Sequence, residues 1–288
     1  MMDVSDPKAV GPRIRMMLPT LTDLEARIVE MLFARRDLDA ATPLKEVAEA
    51  AGVSEAMVVK LSKKLGFSGY RDFRAGLVEY NRLPSAELFR ELEPEDGTAE
   101  IIAKVFRTAA QSLEETQAVL DHAGFERAAE IVHGARQRDL YGVGGSAQIA
   151  RDVAHKLLRI GIRANAFDDL HLMLMSAALL GPDDAVIAFS HSGRSTAVIE
   201  AAALARRNGA RVVAVTAYPQ SPLAEVADVS LIATARGSTL TGESAAARVA
   251  KLTLLDAIFV AVARRDYAAA ERNLEKTMSA VQARRRSA

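Results

Sequence analysis

The 288-residue chain contains no cysteine. That absence excludes a disulfide framework, thiol catalysis and a cysteine-rich zinc site, and it suits a reducing cytoplasm. Histidine is scarce as well: the five present are scattered without metal-ligand spacing, so neither a metal nor another cofactor is expected. Net charge is missing, because 37 lysines and arginines stand against 37 aspartates and glutamates. The chain is therefore neither a polycation nor an acidic protein, and any nucleic-acid site has to be a local patch. Long apolar runs are lacking too. The N-terminus has no apolar signal core, and stretches such as Leu252–Ala263 are interrupted or too short to span a bilayer. No membrane partner is expected, and the chain reads as a soluble cytoplasmic protein.

Half of the residues are hydrophobic and about a quarter charged, over a length that favours two domains. Residues 1–12 carry two prolines, two aspartates and a glycine without periodicity, which predicts a loose arm. From Leu21 to Phe73 the apolar residues recur at helical spacing: Leu24, Ile28 and Leu32, then Leu44, Val47, Ala48 and Ala51, then Val58, Leu61 and Leu65. Between Leu83 and Thr98 the composition turns to proline, glutamate and glycine, predicting a hinge. Two further helical stretches, Ile101–Leu120 and Ala123–Ala135, lead into the second domain. Beyond Arg138 come short apolar runs: Leu140–Val143, Ile162–Phe167, Ala185–Phe189, Val212–Thr216 and Val229–Ala233. Their starts lie 17–27 residues apart, which leaves room for a crossover helix each time. The fold class expected is an α/β C-terminal domain, a doubly wound parallel five-stranded sheet, joined to an all-α N-terminal domain. Two helices, Glu243 to Arg265 and about Tyr267 to Arg284, close the chain.

Residues 44–63 form two predicted helices separated by Gly52, which can adopt positive φ for a sharp turn, and Ser54 is placed to cap the second. This is a helix-turn-helix pattern. On a helical wheel Val58, Leu61 and Leu65 share one side, while Ala56, Val59, Lys60 and Lys63 point away from it. In a major groove those lysines would meet bases or phosphates, and Ala56 and Val59 would meet thymine methyls. Lys64, Tyr70, Arg71 and Arg74 extend the patch: from Lys60 to Arg74 five basic residues stand against one acid, Asp72. Taken alone, the segment also fits a helical hairpin with a solvated lysine face.

Two later loops carry the chemistry. Gly142-Val143-Gly144-Gly145-Ser146 follows a predicted strand and opens a helix, so amides and the helix dipole form an anion cradle. Its glycine spacing also fits part of a dinucleotide fingerprint, with Asp168 or Asp169 as the acidic partner, although the third glycine is missing. The second loop, Ser190-His191-Ser192-Gly193-Arg194-Ser195-Thr196, brings four hydroxyls and several amides to one helix N-terminus, which suits a phosphate monoester. A serine-rich cap with idle hydroxyls is the plain alternative.

Ala51-Gly52-Val53-Ser54-Glu55-Ala56, followed by Lys63-Lys64-Leu65-Gly66-Phe67-Ser68-Gly69-Tyr70 and Phe73, resembles the DNA-binding domain of the RpiR/MurR family of regulators, over about residues 12–90. Met57 departs from the small hydroxyl residue usual there. The two loops on parallel strands resemble the sugar isomerase (SIS) domain, over roughly 128–268. This leaves 91–127 as linker and connecting helices and 269–288 as a C-terminal helix or tail. The resemblance implies that Ser190, Ser192 and Ser195 hold a sugar phosphate with Gly145 and Ser146 nearby, and that His191 and Thr196 are further members. It also points to His171, followed by Met173 where family regulators carry glutamine, and to Glu243 as a group reaching a sugar hydroxyl, from a dimer partner. The DNA-facing residues are expected to be Ser54, Ala56, Val59, Lys60, Lys63 and Lys64. The function implied is transcriptional regulation, with binding to a double-stranded DNA operator controlled by a phosphorylated sugar, in a homodimer or homotetramer. A sugar-phosphate isomerase is the alternative on the same fold, but no residue stands in a motif that marks it as catalytic.

Overall fold

A computed structural model describes residues 6–35, 37–83, 92–235 and 242–285. The chain divides into two compact units: one runs to Val119 and takes in Thr234–Ala247, the other comprises Leu120–Ala233 and Arg248–Ala288.

The first unit is helical: α1 (Pro7–Met17), α2 (Asp23–Ala34), α3 (Leu44–Ala51), α4 (Glu55–Lys64), α5 (Tyr70–Asn81) and α6 (Thr98–Ala118). Local chemistry sets the starts. Thr22 and Glu25 exchange side-chain bonds with each other's backbone in a capping box at the head of α2. Gly52 ends α3 at φ 65°, and the Ser54 hydroxyl accepts the Met57 N–H (3.3 Å) to begin α4. The core joins Val10, Ile14, Ile28, Leu32, Val47, Val58, Leu61, Leu65, Phe73 and Leu77.

Three expectations are corrected here. The loose arm is in fact α1 from Pro7 onward, with residues 1–5 outside the described part. Asp6 caps it, Pro7 occupies its first turn where no N–H is needed, and Val10 and Ile14 are wholly buried. Leu24 is 40% exposed, so the buried stripe of α2 starts at Ile28. Finally α6, expected as a connector, packs on α1 within the same unit. The buried Arg15 guanidinium pairs with Glu115, whose other oxygen accepts from Tyr80 Oη (3.0 Å) and Gln111 Nε2 (2.8 Å). Further along α6, the Thr116 hydroxyl bonds both the N–H and the carbonyl of Thr234 (3.1 Å each), which ties the segment after the last strand into this unit. Of the predicted hinge, residues 84–91 lie outside the described part, and Asp96 is held by Lys104 (2.6 Å) at the head of α6.

The second unit runs α7 (His122–Gly134), β1 (Arg138–Gly142), α8 (Gly145–Arg159), β2 (Asn165–Phe167), α9 (Leu170–Leu179), β3 (Ala185–Phe189), α10 (Thr196–Arg207), β4 (Arg211–Thr216), α11 (Pro222–Glu225), β5 (Val229–Ile232), α12 (Gly242–Arg265) and α13 (Tyr267–Arg285). The five strands are parallel, in the order β2-β1-β3-β4-β5. Alternation along each strand serves two cores, as a sheet covered on both faces requires. Leu140, Ile187, Phe189, Val213 and Val215 face a cluster with Leu157, Leu255 and Ile258, while Tyr141, Val186, Ala188 and Val212 face one with Met173 and Val198. β2 is shorter than the run Ile162–Phe167, because Gly161 turns at φ 83° and the Ile162 N–H closes α8 on Leu157 O (3.0 Å). The tail helix α13 is docked, with Asn273 donating to Ile160 O (3.0 Å).

Candidate functional site

The strand register places the site. Gly142 pairs with Phe189 and Phe189 with Val215, so β1, β3 and β4 end side by side and release their loops at one edge. In this order the chain winds in opposite directions from β1 and β3, and the crevice beyond their C-terminal ends is where such sheets bind ligands.

The first loop turns at Gly144 (φ 56°), and no side chain caps α8. Gly142 is required by close approach: a Cβ there would stand 2.9 Å from the Ser146 backbone. Gly145 is exposed and Ser146 half-buried at the head of the helix. In the second loop the hydroxyls of Ser190 and Ser195 lie 2.9 Å apart, and Ser190 Oγ also accepts the Ser195 N–H (3.3 Å). Ser190 is 1% exposed and acts as the inner brace, while Ser192, whose Oγ accepts the Arg194 N–H (3.2 Å), lies on the rim of the loop with Thr196. Gly193 has φ 64°, and a Cβ on it would come within 2.1 Å of Ser221 Oγ, so glycine is needed on two counts. The His191 carbonyl accepts from the Ala217 N–H (2.9 Å) and the Thr216 hydroxyl (3.1 Å), which fastens the loop to β4.

The residue that sequence reasoning missed is Lys251. It lies on α12 at 3% exposure with Nζ 2.9 Å from His191 Nδ1, and burial lowers its pKa from 10.5 to about 8. A signal was available: Ala247, Lys251, Leu254, Leu255 and Ile258 share one helical stripe, so this lysine occupies a core position. Met173 is wholly buried in the core. His171 is exposed one residue into α9, whose cap is Asp169. The side chain of Glu243 lies outside the described residues.

On the first unit α4 buries Val58, Leu61 and Leu65 and exposes Ala56, Lys60 and Lys63, with Ser54 exposed at its cap. Val59 is half-buried and packs partly on the core, as does Met57. The wider basic patch is smaller than its sequence suggested. Lys64 turns back to Glu25 (2.6 Å) and holds that carboxyl below the usual carboxylate range. The Tyr70 and Arg74 side chains both donate to Thr42 O, at 3.0 and 2.6 Å, with the guanidinium over the ring. Tyr70 and Arg74 brace the fold, Lys64 is exposed while it pairs with Glu25, and Lys60, Lys63 and Arg71 are exposed as well.

A model of the helix-turn-helix domain of the rpiR family matches residues 8–82, and one of the SIS domain matches 131–261. The HTH-type transcriptional regulator RpiR of Escherichia coli is 43% identical over 277 residues, covering 96% of this chain and 94% of that protein. The chain belongs to the RpiR family of transcriptional regulators. A further family relative, an uncharacterised HTH-type regulator of Caldanaerobacter subterraneus, is 30% identical over 94% of this chain and 96% of its own length. Among solved structures, Vibrio vulnificus NanR complexed with ManNAc-6P is similar at 29% identity and a TM-score of 0.59, covering 93% of this chain and 96% of that one. The chain is thus an RpiR-family regulator, a helix-turn-helix unit joined to a SIS domain. Among the described residues no helix is long and apolar enough to cross a membrane.

Proposed function

We propose that this regulator binds operator DNA through α4 and releases or gains it when a sugar phosphate monoester occupies the edge of β1 and β3. The observation that carries the reading is the loop after β3, where Ser190 and Ser195 share a hydrogen bond (2.9 Å), Ser192 is exposed between them, and His191 lies 2.9 Å from Lys251 Nζ. Hydroxyls and helix-terminal amides suit the phosphate oxygens, and a lysine supplies the charge that they lack. The NanR complex with ManNAc-6P supports a phosphorylated sugar as the ligand class. Gly145, Ser146 and Thr196 flank the phosphate, and Glu243 of a dimer partner serves a sugar hydroxyl.

Ser54, Ala56, Val59, Lys60 and Lys63 form the groove-facing side of α4, with Lys64 supporting it through Glu25. The protein acts in the cytoplasm as a homodimer or homotetramer, reading two half-sites. The exposed apolar residues Val260, Tyr267, Met278 and Val281 on α12 and α13 support assembly through those helices. Coupling runs along α12, since its residues up to Ala247 belong to the first unit and those from Arg248, Lys251 included, to the second. A useful response needs a coupling of about 1–3 kcal/mol.

The test is a thermal-shift screen with hexose, pentose, amino-sugar and N-acetylmuramic acid phosphates, followed by DNA mobility shifts with each hit. One sugar phosphate should raise the melting point and alter DNA binding, and Ser192→Ala/Ser195→Ala should abolish both effects. A double variant that responds like the wild type overturns the proposal.

A further inference from the structure

Lys251 is placed where a positive charge is hard to keep. Its ammonium is almost wholly buried, with an imidazole nitrogen at 2.9 Å. Among the described side chains, the elements around it carry little charge that could compensate. On α12 the nearest ionisable residues are Arg248, one turn before it and exposed, and Asp256, which is engaged with Lys156. From the loop after β3 come His191 and the exposed Arg194, and from the loop after β4 comes Tyr218, whose ring lies edge-on to His191 at 6.1 Å. Among the described residues no ion pair joins a carboxylate to Lys251, and burial alone accounts for its weakened hold on the proton. The backbone of His191 is itself fastened through its carbonyl to β4.

We propose that effector capture is coupled to proton uptake: a phosphate dianion entering beside Ser192 and Ser195 supplies a counter-charge and draws a proton from solvent onto those Lys251 amines that are neutral. The inference rests on the reading of that loop as the phosphate site. The balance is simple: neutral Lys251 amine plus a solvent proton gives the ammonium, and no covalent bond to the ligand forms or breaks. Its consequence is selection by charge state. A sugar phosphate is a dianion above its second ionisation near pH 6, and it restores the ammonium fully, whereas a neutral sugar or a phosphodiester monoanion does so less. The site thus discriminates phosphate monoesters from other sugar derivatives by electrostatics, before any contact with the sugar ring.

The experiment is calorimetric titration of the full chain with inorganic phosphate at pH 7 and pH 8.5, in buffers that differ in ionisation enthalpy. With a free-state pKa of about 8, the wild type should take up about a tenth of a proton per site at pH 7 beyond the phosphate's own titration, and about three-quarters at pH 8.5. Affinity for the dianion should fall by about thirty-fold between pH 7 and pH 9.5. Lys251→Arg, which stays charged throughout, should bind without that uptake, and Lys251→Met should bind weakly without it. Phosphate binding by the wild type with no proton uptake at pH 8.5 overturns the coupling while leaving the loop reading intact. Uptake that persists in Lys251→Met overturns the assignment to this lysine. Absence of phosphate binding by the wild type at pH 7 overturns both the coupling and the loop reading.

Discussion

Replacing Lys251 by methionine should make the protein more stable at neutral pH while it impairs effector binding. The fold lowers this lysine's pKa from 10.5 to about 8. At about 1.4 kcal/mol per pKa unit, keeping the ammonium buried at pH 7 costs about 3 kcal/mol. The order of proton loss sets the sign. Below pH 8 both the folded and the unfolded chain carry the proton, and the folded state bears the whole cost. Between pH 8 and 10.5 the folded state releases it first, so the wild type gains stability with rising pH; above 10.5 both states are neutral and the cost is gone. Methionine has similar length and no charge, but it leaves His191 Nδ1 without the lysine at 2.9 Å. Subtracting about 1 kcal/mol for that bond leaves a net gain of about 2 kcal/mol at pH 7, or about 4–8 °C in melting temperature. The assay is thermal unfolding of wild type and Lys251→Met at pH 7 and pH 10. A variant that is less stable at pH 7, or a difference that stays constant across this range, would refute the reasoning. Such a trade of stability for function is expected where a binding site buries a charge.

Other perturbations bear on the remaining parts. Glu115→Ala should destabilise the first unit by about 3–5 kcal/mol in urea unfolding, because it leaves the Arg15 guanidinium buried without its carboxylate; a loss below about 1 kcal/mol would dismiss α6 as a member of that unit. Lys60→Ala and Lys63→Ala should each weaken operator binding and lower the salt slope by about one, whereas Lys64→Ala should lower stability through Glu25 and leave the slope unchanged. Gly193→Ala should cost about 1–3 kcal/mol from φ 64° alone and more from the clash with Ser221. Its thermal shift with sugar phosphates should vanish, and a normal shift would show that the loop tolerates a side chain there.

Much of the architecture was legible along the chain, for reasons that are local. Gly52 and Ser54 mark a turn and a cap within three residues of each other, and α4 shows its buried face by the spacing of Val58, Leu61 and Leu65. The apolar runs at Ala185–Phe189 and Val229–Ala233 became β3 and, over Val229–Ile232, β5, and hydroxyls placed just after such a run land at a strand's C-terminal end in any parallel sheet. Where local signals competed, the reading failed. Two prolines near the N-terminus suggested an arm, yet Pro7 fits a first helical turn and Val10 and Ile14 bury themselves, so packing carried the helix through.

The sequence by itself determined the helix-turn-helix and the hydroxyl loop, since each depends on residues a few positions apart, whereas packing brought α6 and Thr234–Ala247 into the first unit. Only the tertiary structure decided what the charged side chains do. Lys64 reaches Glu25 across 39 positions, Glu115 reaches Arg15 across 100, and Lys251 reaches His191 across 60. Spacing along one helix tells which residues share a face, but not which distant element that face meets. A lysine in a neutral chain is solvated, a strut or a ligand group according to the neighbour that packing brings to it.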